Sequence, residues 1–366
     1  MKVLHINCNY IGTTLHQIMV DKLENLGIKN NVFVPTYDRN TSVIVPNNNV
    51  CISECFKKWN RISFFYKQYK IINAIKKEYN IQDFDIIHAY TLFTDGNAAR
   101  SLSKKYGVVA VRNTDLNAFF KYRPYLRNRG IDILFDARAV FFLSNAYKKQ
   151  LFEKYIPRDM QQIINNKSYI IPNGIDEFWI KNKPDKSQIK EINSKKVKLI
   201  YAGKIDKNKN IPTVQEAVNL LNDEGYDVSL TVVGKVVDKK IFSKINNNQY
   251  TRYIPAQTKE NLLSTYRQHD IFVMPSFTES FGLVYAEAMS QGLPVIYSKG
   301  QGFDGQFEEG LAGYSVDAYS SVSVKDKIEK LINKKINSEN IIKLSEKFNW
   351  NDITVRYSDI YKKILR

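Results

Sequence analysis

The 366-residue sequence has few of the residues that build disulfide frameworks or zinc sites, because it contains three cysteines and four histidines. The odd cysteine number makes no set of paired bridges, and Cys51 and Cys55 lack the neighbouring His or Cys of a zinc site. A reducing cytosol is therefore the expected compartment. No secretion-signal pattern is seen at the start, and no apolar run reaches the roughly 20 residues that span a bilayer.

Acidic residues are also scarce, since 37 Asp and Glu stand against 54 Lys and Arg, which gives a formal net charge of +17. Such a charge attracts nucleic acid, anionic lipid or phosphorylated substrates. No nucleic-acid recognition motif accompanies it, so we expect no nucleic-acid partner. The apolar content of 43% is ordinary for a globular protein, and the length suits two hydrophobic cores.

The most informative stretch is 272–297, which predicts a strand, a glycine-bearing turn, a helix and a second strand. Two carboxylates, Glu279 and Glu287, bracket the predicted helix start at Gly282. The amides of 281–284 form an anion site there, since a helix N-terminus presents unpaired N–H groups and the positive end of its dipole. Glu287 lies beyond the first turn and suits a neutral diol such as a ribose, while Glu279 suits sugar hydroxyls. An ordinary strand–helix–strand unit with two surface glutamates is the alternative.

The spacing Glu279-x7-Glu287, with SFGLV between the two and GLPVI at 292–296, resembles the signature of retaining glycosyltransferases of family 4. The resemblance implies the α/β architecture called GT-B, in which two Rossmann-like, doubly wound domains face each other across a cleft. Residues 1–172, completed by a terminal helix at 352–366, are then the acceptor domain. Residues 173–351 are the nucleotide-sugar donor domain.

The family also has a Gly-Arg pair followed five residues later by a Lys, both cations holding the donor diphosphate. Here Gly203 and Lys204 follow a predicted strand, and Lys209 comes five residues on. Lys204 replaces the usual Arg, so a point charge stands where a bidentate fork is typical. Two cations beside a leaving diphosphate offset its developing charge, and the resemblance therefore implies no metal and no other cofactor. A solvated basic loop is the alternative.

The remaining donor contacts come from turns at the carboxyl ends of predicted strands. Gly12 follows the first strand, Gly234 follows a later one, and backbone near Ile254 would meet the nucleotide base. For Gly12, a plain turn glycine remains the alternative. The resemblance thus implies these donor-binding residues: Gly12, Gly203, Lys204, Lys209, Gly234, Ile254, Glu279, Ser280, Phe281, Gly282, Leu283, Val284 and Glu287.

Polar residues at strand ends in the first half are candidates for the acceptor site. His88, Arg112 and Asp115 are predicted to contact the acceptor, although a hydrogen-bonded structural histidine is the commoner outcome for His88. Many family members carry a His where this chain has Asn113. Asp115 would position or deprotonate an acceptor hydroxyl. The residues predicted to take part in the reaction are Glu279, Lys204, Lys209, Asp115 and Asn113.

Aromatic and apolar residues recur at three- and four-residue intervals through 56–79, with lysines at other positions. One interpretation is a basic amphipathic helix lying on an anionic membrane. The other is a core-facing helix with a solvated cationic face. The aromatic and basic stretch 119–129 is predicted to line the acceptor mouth or to touch lipid phosphates.

The expected function is retaining transfer of a sugar from a UDP- or GDP-sugar to a glycan or lipid-linked glycan, in cell-surface polysaccharide assembly. The expected location is cytoplasmic, peripheral on the inner face of the plasma membrane. The alternatives are a nucleotide-sugar epimerase-type enzyme and a non-catalytic binding protein of the same fold.

Overall fold

A computed structural model describes residues 1–38, 49–103, 107–188, 192, 196–334 and 336–366. The chain divides into two compact units. The N-terminal unit contains Met1–Pro172 and the returning segment Trp350–Arg366, and the C-terminal unit contains Asn173–Asn349. The return begins at Trp350, two residues before the start that the sequence suggests.

The N-terminal unit is built on a parallel sheet of seven strands in the order β3-β2-β1-β4-β5-β6-β7. Its inner strands are buried with little alternation, as in parallel sheets covered by helices on both faces. The strands are β1 (Lys2–Ile6), β2 (Lys29–Pro35), β3 (Val50–Ser53), β4 (Ile86–Ala89), β5 (Gly107–Val111), β6 (Ala139–Phe142) and β7 (Ser168–Ile170). The strand order reverses between β1 and β4, where doubly wound sheets bind ligands.

The helices of the N-terminal unit include one from the far end of the chain, α14. They are α1 (Leu15–Asn25), α2 (Phe64–Glu78), α3 (Thr94–Leu102), α4 (Arg127–Asp136), α5 (Asn145–Tyr155), α6 (Arg158–Asn166) and α14 (Trp350–Leu365). A π-helical stretch covers Asp115–Phe120. Helix α14 buries Trp350, Ile353, Tyr357 and Tyr361 in the same core as α1 and the sheet. This packing explains why the last residues belong to the first unit.

The C-terminal unit repeats the plan with six parallel strands in the order β10-β9-β8-β11-β12-β13. The strands are β8 (Val197–Ala202), β9 (Val228–Val233), β10 (Thr251–Ile254), β11 (Ile271–Met274), β12 (Val295–Ser298) and β13 (Gly313–Val316). The helices are α7 (Glu177–Lys181), α8 (Ile211–Asp223), α9 (Lys239–Asn246), α10 (Lys259–Tyr266), α11 (Leu283–Ser290), α12 (Ser321–Asn333) and α13 (Ser338–Ser345). The strand order reverses between β8 and β11, so the turns after these two strands meet at one edge.

Each unit is therefore a parallel sheet with helices, as the prediction of two Rossmann-like, doubly wound domains requires. Within the parts of the chain that the structure describes, no helix has the length and apolarity needed to cross a bilayer.

Candidate functional site

Helix α11 begins at the carboxyl edge of the C-terminal sheet, directly after the turn that follows β11. Gly282 precedes its first residue with φ +79°. A Cβ at this position would come within 2.3 Å of the Tyr285 ring, so both the left-handed conformation and the contact require glycine. The turn therefore aims the N-terminal amides of α11 at the sheet edge, where they can bind an anion.

An ion pair joins the two turns at this edge. Lys209 Nζ lies 2.6 Å from Glu279 Oε2, and the two side chains are 19% and 14% exposed. The other carboxylate oxygen of Glu279 accepts a hydrogen bond from the Ser280 amide at 3.1 Å, and the Glu279 amide donates to Gln301 Oε1 at 3.0 Å. The fold thus brings together two predicted site residues and holds the carboxylate in one orientation.

Asn208 ties the Lys209 turn to the Glu279 turn through three hydrogen bonds. Its Nδ2 donates to the Thr278 carbonyl at 2.8 Å, and its Oδ1 accepts from the Thr278 amide at 3.0 Å. Its carbonyl accepts from the Phe277 amide at 2.9 Å. Asn208 is not among the site residues predicted from the sequence, where its only signal is an amide side chain between two predicted phosphate-binding lysines.

Asp206 and Asn210 fix the rest of the turn that follows β8. Asp206 accepts a hydrogen bond from the Lys209 amide at 3.1 Å. Asn210 is buried with φ 56°, and its Nδ2 donates to the carbonyls of Pro275 and Ala318. Lys204 is exposed, while its carbonyl accepts from the Tyr201 hydroxyl at 2.6 Å. Lys209 is therefore held in the site, whereas the Lys204 ammonium lies in solvent.

Gly203 and Gly234 lie back to back at the ends of β8 and β9. A Cβ on Gly234 would come within 1.7 Å of the Gly203 carbonyl oxygen. The Gly234 amide donates to the Ile254 carbonyl at 3.0 Å. Close packing of the two strand ends is thus a structural reason for Gly234, and the Ile254 carbonyl is already occupied by a hydrogen bond.

Glu287 lies in the second turn of α11 and is partly buried. Burial raises the pKa of its carboxyl to about 7, although Lys259 and a hydrogen bond from Trp179 oppose the shift. Lys259 is itself paired with Asp176, which caps α7. Trp179 and Lys259 are not among the site residues predicted from the sequence, because each is brought to Glu287 from a different helix.

The glycine-rich loop after β12 supports the backbone of the Glu279 turn. The Gly302 amide donates to the Glu279 carbonyl at 3.2 Å. A Cβ at Gly302 would come within 1.9 Å of the Ser280 carbonyl oxygen. Phe303 packs edge-on against Phe281 with 6.0 Å between the ring centroids. Gly302 therefore positions the anion-binding turn.

His88, a predicted acceptor contact, lies in the core of the N-terminal unit. The side chain is fully buried in β4, where Nδ1 lies 2.5 Å from the Tyr361 hydroxyl of α14 and the ring stacks on Tyr90 at 4.4 Å. Burial lowers its pKa well below the ordinary value, so the ring is neutral. His88 is the hydrogen-bonded core histidine that the sequence left as the alternative.

Asp115, whose contact with an acceptor hydroxyl stays a prediction, is also buried inside the N-terminal unit. Its carboxylate accepts hydrogen bonds from the amides of Leu92, Phe93 and Arg112 at 3.0, 3.3 and 2.8 Å. Burial raises its pKa to about 6. The side chain fixes the loop after β4 and has almost no solvent exposure.

The two neighbouring candidates differ from each other in exposure. Asn113 is buried and accepts a hydrogen bond from the Asn117 amide group, and its part in the reaction stays a prediction. Arg112 is partly exposed, and its Nε donates to the Tyr90 carbonyl at 3.0 Å. Arg112 thus remains an acceptor-binding candidate.

Gly12 lies in an exposed turn after β1. A Cβ there would meet no atom within 4 Å among the residues that the structure describes, and its φ is not in the left-handed region. Neither packing nor backbone conformation therefore demands glycine at this position.

The described residues include no group of three or more His, Cys, Asp or Glu side chains that could hold a metal ion. The charged side chains at the C-terminal sheet edge are lysines and carboxylates, and the helix amides there carry partial positive charge.

Two family models match successive parts of the chain. The model of glycosyltransferase family 4 matches residues 17–177, and the model of glycosyl transferases group 1 matches residues 182–348. The first match lies almost wholly in the N-terminal unit and the second lies in the C-terminal unit.

Curated relatives are also glycosyltransferases. The chain is 24% identical to an uncharacterized glycosyltransferase of Methanocaldococcus jannaschii, over 100% of this chain and 99% of that protein. It is 23% identical to the capsular polysaccharide biosynthesis glycosyltransferase CapM of Staphylococcus aureus, over 70% of each.

Solved structures share the fold at lower identity. Sucrose-phosphate synthase from Thermosynechococcus elongatus superposes with a TM-score of 0.76 at 16% identity, over 99% of this chain and 98% of that one. Anabaena Alr3699/HepE, solved with UDP and glucose, gives a TM-score of 0.66 at 15% identity, over 98% of each chain. With both units matched, the chain belongs to glycosyltransferase family 4 and is a glycosyltransferase with the GT-B fold.

Proposed function

We propose that this glycosyltransferase moves a sugar, with retention at the anomeric carbon, from a UDP- or GDP-sugar to a hydroxyl of a glycan or lipid-linked glycan. The reaction needs no metal ion and belongs to cell-surface polysaccharide assembly in the cytoplasm. The similarity to CapM supports the pathway, and the UDP and glucose bound to the Anabaena protein support the donor.

The observation that carries the proposal is the Lys209–Glu279 ion pair beside the start of α11. The Lys209 ammonium group has three N–H groups that can donate hydrogen bonds. Glu279 takes one of them, and the other two can point at the donor diphosphate. The amides of 281–284 and the exposed Lys204 add further positive charge. Glu279 keeps acceptor capacity for sugar hydroxyls, and Glu287 accepts from the ribose.

This set of groups performs the work that a divalent cation performs in other transferases. As the bond between the anomeric carbon and the diphosphate oxygen breaks, negative charge grows on that oxygen. Fixed amides and ammonium groups stabilise the charge without reorganising. The acceptor oxygen bonds to the same face of the anomeric carbon, and its proton passes to the departing phosphate oxygen. Such a step needs no enzyme base, which accords with the burial of Asp115.

Thermal-shift measurements on the full chain test the donor. We expect one UDP- or GDP-sugar to raise the melting temperature, since a ligand that binds only the folded state stabilises it. The stabilisation and the turnover should survive EDTA, and NMR should find the product with the anomeric configuration of the donor. Loss of activity in EDTA that Mg²⁺ restores, or an inverted product, would contradict the proposal, as would an epimer formed without acceptor.

Substitution of Lys209 tests the ion pair. Lys209→Ala should lower kcat/KM by about 10²–10³-fold, the usual loss when one group that stabilises transition-state charge is removed. Lys325→Ala is a matched control, because Lys325 has a similarly shielded side chain and pairs with Glu224 at 2.8 Å. Equal kinetics in the two variants would remove Lys209 from the site.

A further inference from the structure

The face of α2 that points away from the core is aromatic and apolar, although the opposite face is buried as expected. Phe64, Gln68, Ile71 and Ile75 are buried at helical spacing. On the other side of α2, Phe65 is 61% exposed, and the short 3-10 turn just before the helix carries Trp59, 62% exposed, and Ile62, 87% exposed. One face of α2 thus packs on the core, as one interpretation of 56–79 expects, whereas the membrane contact of the other interpretation stays a prediction.

A second exposed segment continues this surface. The Phe64 ring contacts Phe65 at 5.4 Å on one side and Phe119 at 6.2 Å on the other. The Arg123 guanidinium lies over Phe119 at 4.9 Å. Tyr122 and Tyr125, which follow in the chain, are among the most exposed aromatic residues of the protein. We call the two segments together, 57–70 and 119–125, the aromatic patch.

The charge of the aromatic patch has one sign. Every charged residue in 56–77 and in 116–131 is Lys or Arg. Several of these cations lie against the aromatic rings: Lys70 is 5.5 Å from the Tyr66 ring centroid and Lys121 is 5.1 Å from that of Tyr122. A surface that mixes exposed apolar side chains, Trp and Tyr with lysines and arginines is typical of contact with the headgroup region of an anionic bilayer.

We propose that the aromatic patch binds the surface of an anionic membrane, with Trp59, Ile62 and Phe65 inserted at the boundary between headgroups and acyl chains. The lysines and arginines around them contact lipid phosphates. Single-stranded nucleic acid also binds basic aromatic surfaces by stacking on rings. Ile62, the most exposed apolar side chain of the patch, has no π-face for a base, so the composition favours lipid. This inference is independent of the donor and of the reaction proposed above.

Tryptophan fluorescence of the full chain tests the proposal directly. Trp179 and Trp350 are buried, whereas Trp59 is exposed, so a change in emission on adding vesicles reports Trp59. We expect a blue shift with vesicles of phosphatidylcholine and phosphatidylglycerol, quenching when the lipids carry bromine on their acyl chains, and neither effect in Trp59→Phe. Unchanged emission and no co-sedimentation of the wild-type chain with these vesicles would overturn the proposal.

Matched variants separate insertion from charge. Ile62→Ser with Phe65→Ser should weaken vesicle binding at least ten-fold, while Leu311→Ser with Val322→Ser removes exposed apolar groups from the other unit and should leave binding unchanged. Lys58→Gln with Lys70→Gln should weaken binding about five-fold per charge at low salt, whereas Lys239→Gln with Lys240→Gln should not. Circular dichroism of each variant checks that it is folded.

The same variants exclude other partners. If the patch were a self-association surface, wild-type chains would dimerise in sedimentation equilibrium and Ile62→Ser with Phe65→Ser would abolish that dimer without weakening vesicle binding. If the partner were nucleic acid, an oligonucleotide of mixed sequence would shift the Trp59 emission and vesicles would not. Equal loss of vesicle binding in the patch variants and in their controls would also overturn the proposal.

Discussion

The sheet edges of the two units are built alike, yet their polar residues have different uses. In the C-terminal unit, Lys209 and Glu279 are partly exposed and bind each other, so each keeps hydrogen-bonding capacity for a ligand. In the N-terminal unit, His88 and Asp115 are buried and bind the protein itself. A polar residue after a parallel strand is thus a ligand contact only if the fold leaves part of its capacity unused.

The electrostatics of the two edges differ in the same sense. At the C-terminal edge a cation and an anion lie 2.6 Å apart. In the N-terminal unit, burial lowers the pKa of His5 to about 4 and that of His16 to about 3. These imidazoles are neutral at physiological pH and stabilise the core through hydrogen bonds and ring contacts. Among these residues, the close pair of opposite charges thus lies at the C-terminal edge.

The largest effect should come from Gly234→Ala, which tests whether a C-terminal edge glycine is structural. The new Cβ would overlap the Gly203 carbonyl oxygen at 1.7 Å. The Gly203 carbonyl belongs to the backbone and cannot move aside as a flexible side chain can. We therefore expect a loss of about 3 kcal/mol or more in the free energy of unfolding. Urea denaturation followed by circular dichroism measures it.

Gly225→Ala is the control for this substitution. Gly225 also has positive φ, +92°, but a Cβ there meets nothing within 4 Å among the described residues. It should cost only the backbone strain, about 1 kcal/mol. If the two variants are equally stable, the close approach of the two strand ends does not contribute to the free energy of unfolding.

The next largest effect should come from Asp115→Asn in the N-terminal unit. The carboxylate serves three amides, and an Asn side chain places an N–H₂ group opposite one of them. A buried donor without an acceptor costs about 1–3 kcal/mol. We expect that loss of stability, with kcat/KM of the folded enzyme within about two-fold of the wild-type value.

Thr114→Ala, at an exposed neighbouring position, should change neither quantity. The comparison between the two units would fail if Asp115→Asn left stability intact and lowered kcat by 10²-fold or more, which is the loss typical of a general base.

The sequence signals of the C-terminal candidate site are local. Glu279, Gly282 and Glu287 lie within one turn and one short helix, and chain chemistry alone indicates an anion site there. The burial of the N-terminal candidates has a non-local cause. His88 is closed off by Tyr361, which is 273 residues away, and no local pattern at His88 reports the return of α14.

The site residues that were not predicted from the sequence also make contacts between distant parts of the chain. Asn208 and Gln301 act on the Glu279 turn across long separations of 70 and 22 residues. Spacing within one segment cannot reveal such contacts, because they depend on which turns the sheet brings to one edge.

A smaller effect is expected from the pH dependence of Glu287. Its folded pKa of about 7 lies above the ordinary 4.5. The protonated form is thus favoured in the folded state, and the associated stability is complete below about pH 4.5 and is lost as pH rises through 7. The free energy of unfolding of Glu287→Gln should therefore exceed that of the wild type at pH 8. The difference should be about 1–2 kcal/mol, a modest value because the side chain is only partly buried.

Binding should change in the opposite direction. An ionised carboxylate can accept hydrogen bonds from both ribose hydroxyls. Binding of the nucleotide sugar should therefore become tighter as pH rises from 6 to 8, with UDP-glucose as the probe, or GDP-mannose if the base is guanine. These diesters have no group that titrates in that window. Glu287→Gln should bind weakly without this trend, and Glu308→Gln, at an exposed position, should behave as the wild type. A wild-type trend in Glu287→Gln would place the ribose elsewhere.

The smallest effect on stability should come from Gly12→Ala, which sharpens the comparison between glycines of the two units. Unlike Gly234, Gly12 has open space around its Cα and an ordinary φ. Alanine should leave the free energy of unfolding unchanged or raise it by about 0.5 kcal/mol, because it restricts the unfolded chain.

If a ligand nevertheless approaches this turn closely, the methyl group must obstruct it, and kcat/KM should fall about ten-fold while the melting temperature stays unchanged. Wild-type kinetics in Gly12→Ala would make Gly12 a plain turn residue, and the diphosphate would then be bound by the C-terminal unit alone.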